Sequence, residues 1–207
     1  LVENMKNSIR HAYYREYRAL QRLCIMILQH EKHQIGSGIR QIHGILFDGA
    51  WIWEEYINLL IGSDFYHPKN KARIGAQWLF TYNESYIGLI YPDFISRKAD
   101  GRIVADAKYK PDDNIRGNDY QQLLAYMFRF DAKKGLFLYP ENREVDSINL
   151  SMNRGSAYEG NVCPREDIMV IKCGFAIPND STDYNDFKVK IKESEEVFKS
   201  RVLGNLM

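Results

Sequence analysis

The chain has 207 residues, 45% of them hydrophobic and 13% aromatic, a composition that supports a packed core and excludes extended disorder. Net charge is +1, from 28 Lys and Arg against 27 Asp and Glu, so bulk charge announces neither a nucleic-acid binder nor an acidic tail. No apolar run approaches the roughly 20 residues of a membrane helix.

This length suits one large domain or two small ones. The opening Leu1-Val2-Glu3-Asn4 has neither a start methionine nor a basic-then-apolar signal, which leaves open a piece of a longer subunit. Cys24, Cys163 and Cys173 are odd in number and lack C-x-x-C spacing, so they read as reduced thiols of a cytoplasmic protein. A zinc site pairing them with His30 and His33 has no recognisable spacing.

In chain order, Asn7 to Lys32 reads as a leading helix, with Tyr13, Tyr17, Leu20, Cys24, Ile27 and Leu28 at three- and four-residue steps. Residues 1–40 carry seven Lys and Arg against three Glu, an excess that a solvated face explains as well as a phosphate-binding one. Gly36-Ser37-Gly38 opens a loop. A second helix is predicted from Asp48, its N-cap, to Ile61, closed by Gly62-Ser63. A polar stretch follows, His67 to Arg73, and then strands near Ala76–Tyr82, Tyr86–Ser96 and Arg102–Tyr109. Lys98-Ala99-Asp100-Gly101 between the last two is a hairpin turn, because Asp-Gly readily supplies a positive φ. Pro92 belongs at an edge or bulge, since it cannot donate to a ladder.

A third helix is predicted over Asn118 to Lys133, with Leu123, Tyr126, Met127 and Phe130 as its apolar stripe. A short strand, Leu136–Tyr139, stopped by Pro140, would complete a crossover to a parallel neighbour. Strands near Ser147–Met152 and Ile168–Phe175 and a final helix from Tyr184 to Val202 end the chain. The simplest description is one α/β domain over 1–207: a leading helical segment over 1–45, a core over 46–140, and C-terminal strands and helix over 141–207.

The run Ile103-Val104-Ala105-Asp106-Ala107-Lys108-Tyr109 carries the chemistry. On a strand, Asp106 and Lys108 leave one face and Ala107 the other. Ionised side chains are costly in an apolar strand unless they are paired or hold a metal. With Asp93 supplied by the preceding strand, Asp106 could bind Mg²⁺, the Ala107 carbonyl could add a ligand, and Lys108 could stabilise charge beside the attacking water. A salt bridge between strand neighbours is the alternative. Glu54 lies among Trp51, Trp53, Tyr56 and Ile57 on a largely buried helix, where a carboxylate approaching a metal has a reason to be; Glu55 reads as solvated. Gln122 and Tyr126, four apart, share a helix face, and Gln122 could orient a water or hold a phosphate backbone.

These residues, in this order, resemble the PD-(D/E)xK nuclease superfamily: Glu on a helix, then P-D, then (D/E)-x-K, then Q-x-x-x-Y. The wording is most similar to the McrC-type nuclease subunits of modification-dependent restriction systems, LlaJI-like relatives included. It stands here as Phe47…Trp53-Glu54-Glu55-Tyr56-Ile57, Pro92-Asp93, Asp106-Ala107-Lys108-Tyr109-Lys110 and Tyr120-Gln121-Gln122-Leu123-Leu124-Ala125-Tyr126. The resemblance implies a restriction-endonuclease-like core, with a mixed central sheet flanked by helices behind the leading segment. It implies a Mg²⁺-dependent DNA endonuclease in which Mn²⁺ can substitute. Glu54, Asp93, Asp106 and the Ala107 carbonyl would hold metal, Lys108 would assist the water, and Gln122 would support the site. The implied partners are DNA and an AAA+ GTPase motor. That motor is another chain, because no G-x-x-x-x-G-K-[S/T] occurs here. A repair or recombination nuclease of the same fold, and a non-catalytic DNA-binding subunit, are the competing expectations.

Overall fold

The computed structural model describes residues 48–70, 74–154 and 162–206, together with Gln21 and Cys24. The chain divides into two units, Leu1–Asp48 and Gly49–Met207, and every element named below belongs to the second. The predicted leading helix, the Gly36-Ser37-Gly38 loop, His30 and His33 lie outside the described residues.

Helix α1 spans Gly49–Ile61 and buries Trp53, Ile57 and Ile61, three residues at four-residue steps that form one stripe. The strands are β1 (Phe65–Tyr66), β2 (Gln77–Tyr82), β3 (Ser85–Ile90), β4 (Phe94–Ser96) and β5 (Ile103–Ala107). After a 3₁₀ turn at Asp112–Asn114 come α2 (Gly117–Arg129), β6 (Lys134–Glu141), β7 (Ile148–Arg154), β8 (Cys163–Ala176) and α3 (Tyr184–Gly204). The main sheet runs β1-β4-β5-β6-β8-β7. Its centre is parallel, β5 on β6 and β6 on β8; the β1–β4, β4–β5 and β7–β8 pairs are antiparallel. The expected mixed α/β sheet flanked by helices is what forms.

Alternation along β5 sorts the two cores. Ile103 and Ala105 join Leu136, Leu138, Ile171 and Cys173 beneath α1 and α3, where Trp53, Ile57, Phe198 and Val202 cover them. Val104 joins Phe137, Tyr139 and Val170 beneath Leu123, Tyr126 and Met127 of α2. Gly135 permits that second contact. A Cβ there would lie 2.6 Å from Met127 Sδ and 3.0 Å from Leu123 Cγ, so any larger residue would force those two side chains to shift.

Three expectations change. The predicted strand over 86–96 is two strands in two sheets, because Pro92 has no N–H to continue a ladder. β2 and β3 instead form a separate hairpin, turned at Asn83 and Glu84 with φ of 42° and 64°. Pro140 does not stop β6, which runs on to Glu141 against β8. Leu138 bonds toward β5, and the N of Pro140, two residues on, points the same way, where β5 has already ended at Ala107. α2 ends at Arg129, not near Lys133, because Asp131 takes φ 52° and turns the chain into β6.

The β4–β5 turn carries Gly101 at φ 65°, with open space around a would-be Cβ. Gly101→Ala should therefore cost about 1 kcal/mol in urea unfolding, purely from left-handed backbone strain. An unchanged midpoint would show that the turn relaxes.

Candidate metal centre

Antiparallel pairing of Phe94 with Ala105 sets the site. One step further along the same register places Asp93 opposite Asp106. Directly opposed residues have Cβ atoms about 5 Å apart. A carboxylate just before β4 and a carboxylate near the end of β5 are thus brought together by the short turn between them. Asp93 Oδ2 accepts from the Ala107 N–H at 2.9 Å, continuing the pairing with a side chain where the strand has ended. The Pro92 carbonyl accepts from Asn70 Nδ2 at 3.1 Å, and the Asp93 carbonyl lies 2.9 Å from His67 Nδ1. A carbonyl only accepts, so Nδ1 carries a hydrogen.

Asp106 faces α2, and it is 1% exposed. Lys108 leaves the same face, as the strand period requires, and its Nζ lies 2.6 Å from Asp106 Oδ2. That oxygen has no hydrogen bond of good geometry, and the Lys108 ammonium is the positive charge against it, with the Asp93 carboxyl also close to Asp106. Lys108 Nζ donates to Gln122 Oε1 at 3.0 Å and lies 3.5 Å from Asp119 Oδ1. Gln122 Nε2 donates to Tyr126 Oη at 2.6 Å, and Tyr126 donates to the Tyr91 carbonyl at 3.0 Å. Gln122 itself is solvent-exposed, yet both ends of its amide are engaged.

The carboxyls are strongly perturbed. Burial, then the charges of Asp106 and Glu54, hold Asp93 well above the usual carboxylate range, outweighing the Ala107 N–H and Lys108. Burial also raises Asp106, although Lys108 opposes it. Burial alone would lower Lys108, but Asp106, Asp119 and Asp93 together raise it, so it is an ammonium at neutral pH. Burial is likewise the main reason the Tyr126 hydroxyl is raised.

Glu54 approaches from α1, close enough for its charge to act on Asp93. Its Oε1 lies 3.7 Å from His67 Nε2, and Glu55 Oε1 lies 3.8 Å from the same nitrogen. Glu55 is about half exposed and accepts from Trp51 Nε1 at 3.1 Å. Among the described residues, no three His, Cys, Asp or Glu side chains converge at metal-binding distances. The structure therefore joins Asp93, Asp106, Lys108 and Gln122 directly, with Glu54 adjacent through His67. Two buried, facing carboxyls with raised affinity for protons, and an Asp106 oxygen lacking a hydrogen bond, are a donor set that fits a hard divalent cation. Of the residues of the zinc alternative, Cys163 is exposed and Cys173 is buried under α3, while His30 and His33 lie outside the described residues.

Sequence reasoning passed over His67, Asn70 and Asp119. His67 and Asn70 are 26 and 22 residues from the backbone atoms they hold, with no motif linking them. Asp119 had a usable signal, since it stands three residues before Gln122 in the same helical turn.

This α/β core with its facing carboxylates has the architecture of a restriction-endonuclease-like protein. A family model described as the McrBC 5-methylcytosine restriction system component matches residues 1–140, and the chain belongs to that family. Comparison with curated proteins gives no match. Among the described residues, no helix is long and apolar enough to cross a membrane.

Proposed function

We propose that the chain is a Mg²⁺-dependent DNA endonuclease, the nuclease subunit of a modification-dependent restriction system. The observation that carries this reading is the facing pair Asp93 and Asp106 with the Lys108 ammonium 2.6 Å from Asp106. Asp93, Asp106 and the Ala107 carbonyl would hold the cation with Glu54 nearby, and the bound ion would supply charge neutralisation and a water of lowered pKa. Mn²⁺ would substitute.

The chain's own groups then have defined tasks. A water oxygen attacks the phosphorus as the P–O bond to the leaving oxygen breaks; the proton the water loses passes to bulk solvent, which supplies one to the leaving oxygen. Lys108, already protonated and held by carboxylates, is no general base. It serves as a fixed positive charge beside the phosphoryl oxygens. Gln122 fixes where that charge sits, and the Tyr126–Tyr91 contact fixes Gln122. The near-neutral chain has little bulk attraction for a polyanion, which supports delivery of DNA by a partner, an AAA+ GTPase motor of the same system.

The test is plasmid DNA carrying 5-methylcytosine, incubated with the purified chain, Mg²⁺ or Mn²⁺, and the cognate GTPase with GTP. Cleavage that EDTA abolishes is expected. Intact DNA under all these conditions would sink the reading. Preference for branched or end-containing DNA over covalently closed DNA would instead favour a repair or recombination nuclease.

A further inference from the structure

We propose that Asp119 is a positioning residue for Lys108, holding its ammonium as a second anchor so that a divalent cation can take Asp106 from it. The inference rests on the proposed metal reading and extends it to a residue outside the four-part motif.

The geometry is a triangle of acceptors around one ammonium. Lys108 Nζ lies 2.6 Å from Asp106 Oδ2, 3.0 Å from Gln122 Oε1 and 3.5 Å from Asp119 Oδ1. An ammonium has three donors, enough for one toward each acceptor, and the contact to Gln122 has hydrogen-bond geometry while the two to carboxylates are ion pairs. Two of the three acceptors are oriented in advance. The hydrogen of Tyr126 goes to the Tyr91 carbonyl, so its oxygen can only accept from Gln122 Nε2, which turns Gln122 Oε1 toward Lys108. Asp119 Oδ2 accepts from Lys110 Nζ at 2.6 Å and from the Arg116 N–H at 2.8 Å, which leaves Oδ1 toward Lys108. Asp119 is thereby kept a carboxylate: burial would raise it, but Lys110, the Arg116 N–H and Lys108 hold it below the usual range.

In this arrangement Lys108 is the counter-ion of Asp106, its ammonium set against the buried Oδ2. A divalent cation at Asp106 and the ammonium therefore compete for one oxygen. The ammonium can yield only if its charge stays balanced elsewhere. Asp119, on the first turn of α2, is the carboxylate placed to do that.

The experiment is a double-mutant cycle read by Mn²⁺ affinity, using isothermal titration calorimetry on the full chain. Asp119→Asn keeps an oxygen for the Arg116 N–H while removing the charge. Lys108→Met removes the competitor. Asp119→Asn should weaken Mn²⁺ binding by about fivefold in the native background, the size of coupling usual within one ion-pair network, and by less than about twofold beside Lys108→Met. Lys108→Met alone should tighten binding. Equal weakening in both backgrounds would mean that Asp119 acts on the cation only through space, and overturns the inference. Mn²⁺ binding that Asp106→Asn abolishes and Asp119→Asn leaves untouched overturns it alone. Absence of Mn²⁺ binding by the native chain overturns the metal reading as well.

Discussion

Asp106→Asn and Lys108→Met will each lower metal-dependent DNA cleavage by about 10²–10³-fold or more, the loss typical when a preorganised electrostatic group is removed. The two substitutions fail for different reasons. Asparagine keeps the shape of Asp106 and one oxygen, but it no longer offers an anionic ligand to a hard cation. The side chain is buried, and burial already raises its affinity for a proton, so a neutral isostere is tolerated by the fold. Thermal unfolding of Asp106→Asn should therefore be unchanged or higher than native, which separates loss of chemistry from loss of structure. Lys108→Met leaves Asp106 without its ammonium, and it should lose both activity and thermal stability. Full cutting by either folded variant would show that Asp106 and Lys108 are a structural ion pair and that the chemistry lies elsewhere.

What could be read in advance was local. The two-residue period of 103–109 was enough to put Asp106 and Lys108 on one face, because side-chain alternation depends on nothing beyond the strand itself. Asp100-Gly101 was enough to place the turn, and with it the antiparallel partner strand. The register follows from both, and so does the meeting of Asp93 with Asp106. The parallel step from β5 to β6 was legible because a helix stands between them.

What could not be read depends on atoms distant in sequence. A largely apolar stretch over 86–96, interrupted at Pro92-Asp93, does not reveal that its halves join different sheets, although Pro92 was a hint of the break. Pro140 reads as a stop signal until it is known that β5 ends first. His67 reaches the Asp93 carbonyl and Glu54 only after β1 pairs with β4. The same holds for Lys172: it is an unremarkable basic residue in the sequence, but it sits buried on β8 with its Nζ 2.6 Å from Asp112 Oδ1. That contact ties the loop after Lys108 to the same face of the sheet, two strands over from Asp106.

Asp93→Asn should stabilise the chain at neutral pH by about 1–2 kcal/mol, since it removes one of two facing buried charges while leaving an oxygen for the Ala107 N–H. For a chain of this size that is a rise in Tm of about 3–6 °C. The sign follows from linkage. Burial, Asp106 and Glu54 raise Asp93 in the folded state above its unfolded value of about 3.9. The folded chain thus binds more protons between those two values, and stability falls as pH rises through that window. The stabilising share is fully present below about pH 4 and is lost as pH climbs through the folded value. The advantage of Asp93→Asn should accordingly shrink as the solution is acidified toward pH 4, where the native carboxyl is protonated too. Millimolar Mn²⁺ should reverse the order at neutral pH, raising the native Tm and leaving the variant's unmoved, because only the native pair binds the ion. A variant that unfolds below native at neutral pH, or a gap that ignores both pH and Mn²⁺, would mean that Asp93 is held as a satisfied structural carboxyl. The cost of keeping two carboxyls face to face would then need another explanation. If the pattern holds, Asp93 is retained at a standing expense in stability, which is what a ligand awaiting its cation requires and a salt-bridged hairpin does not.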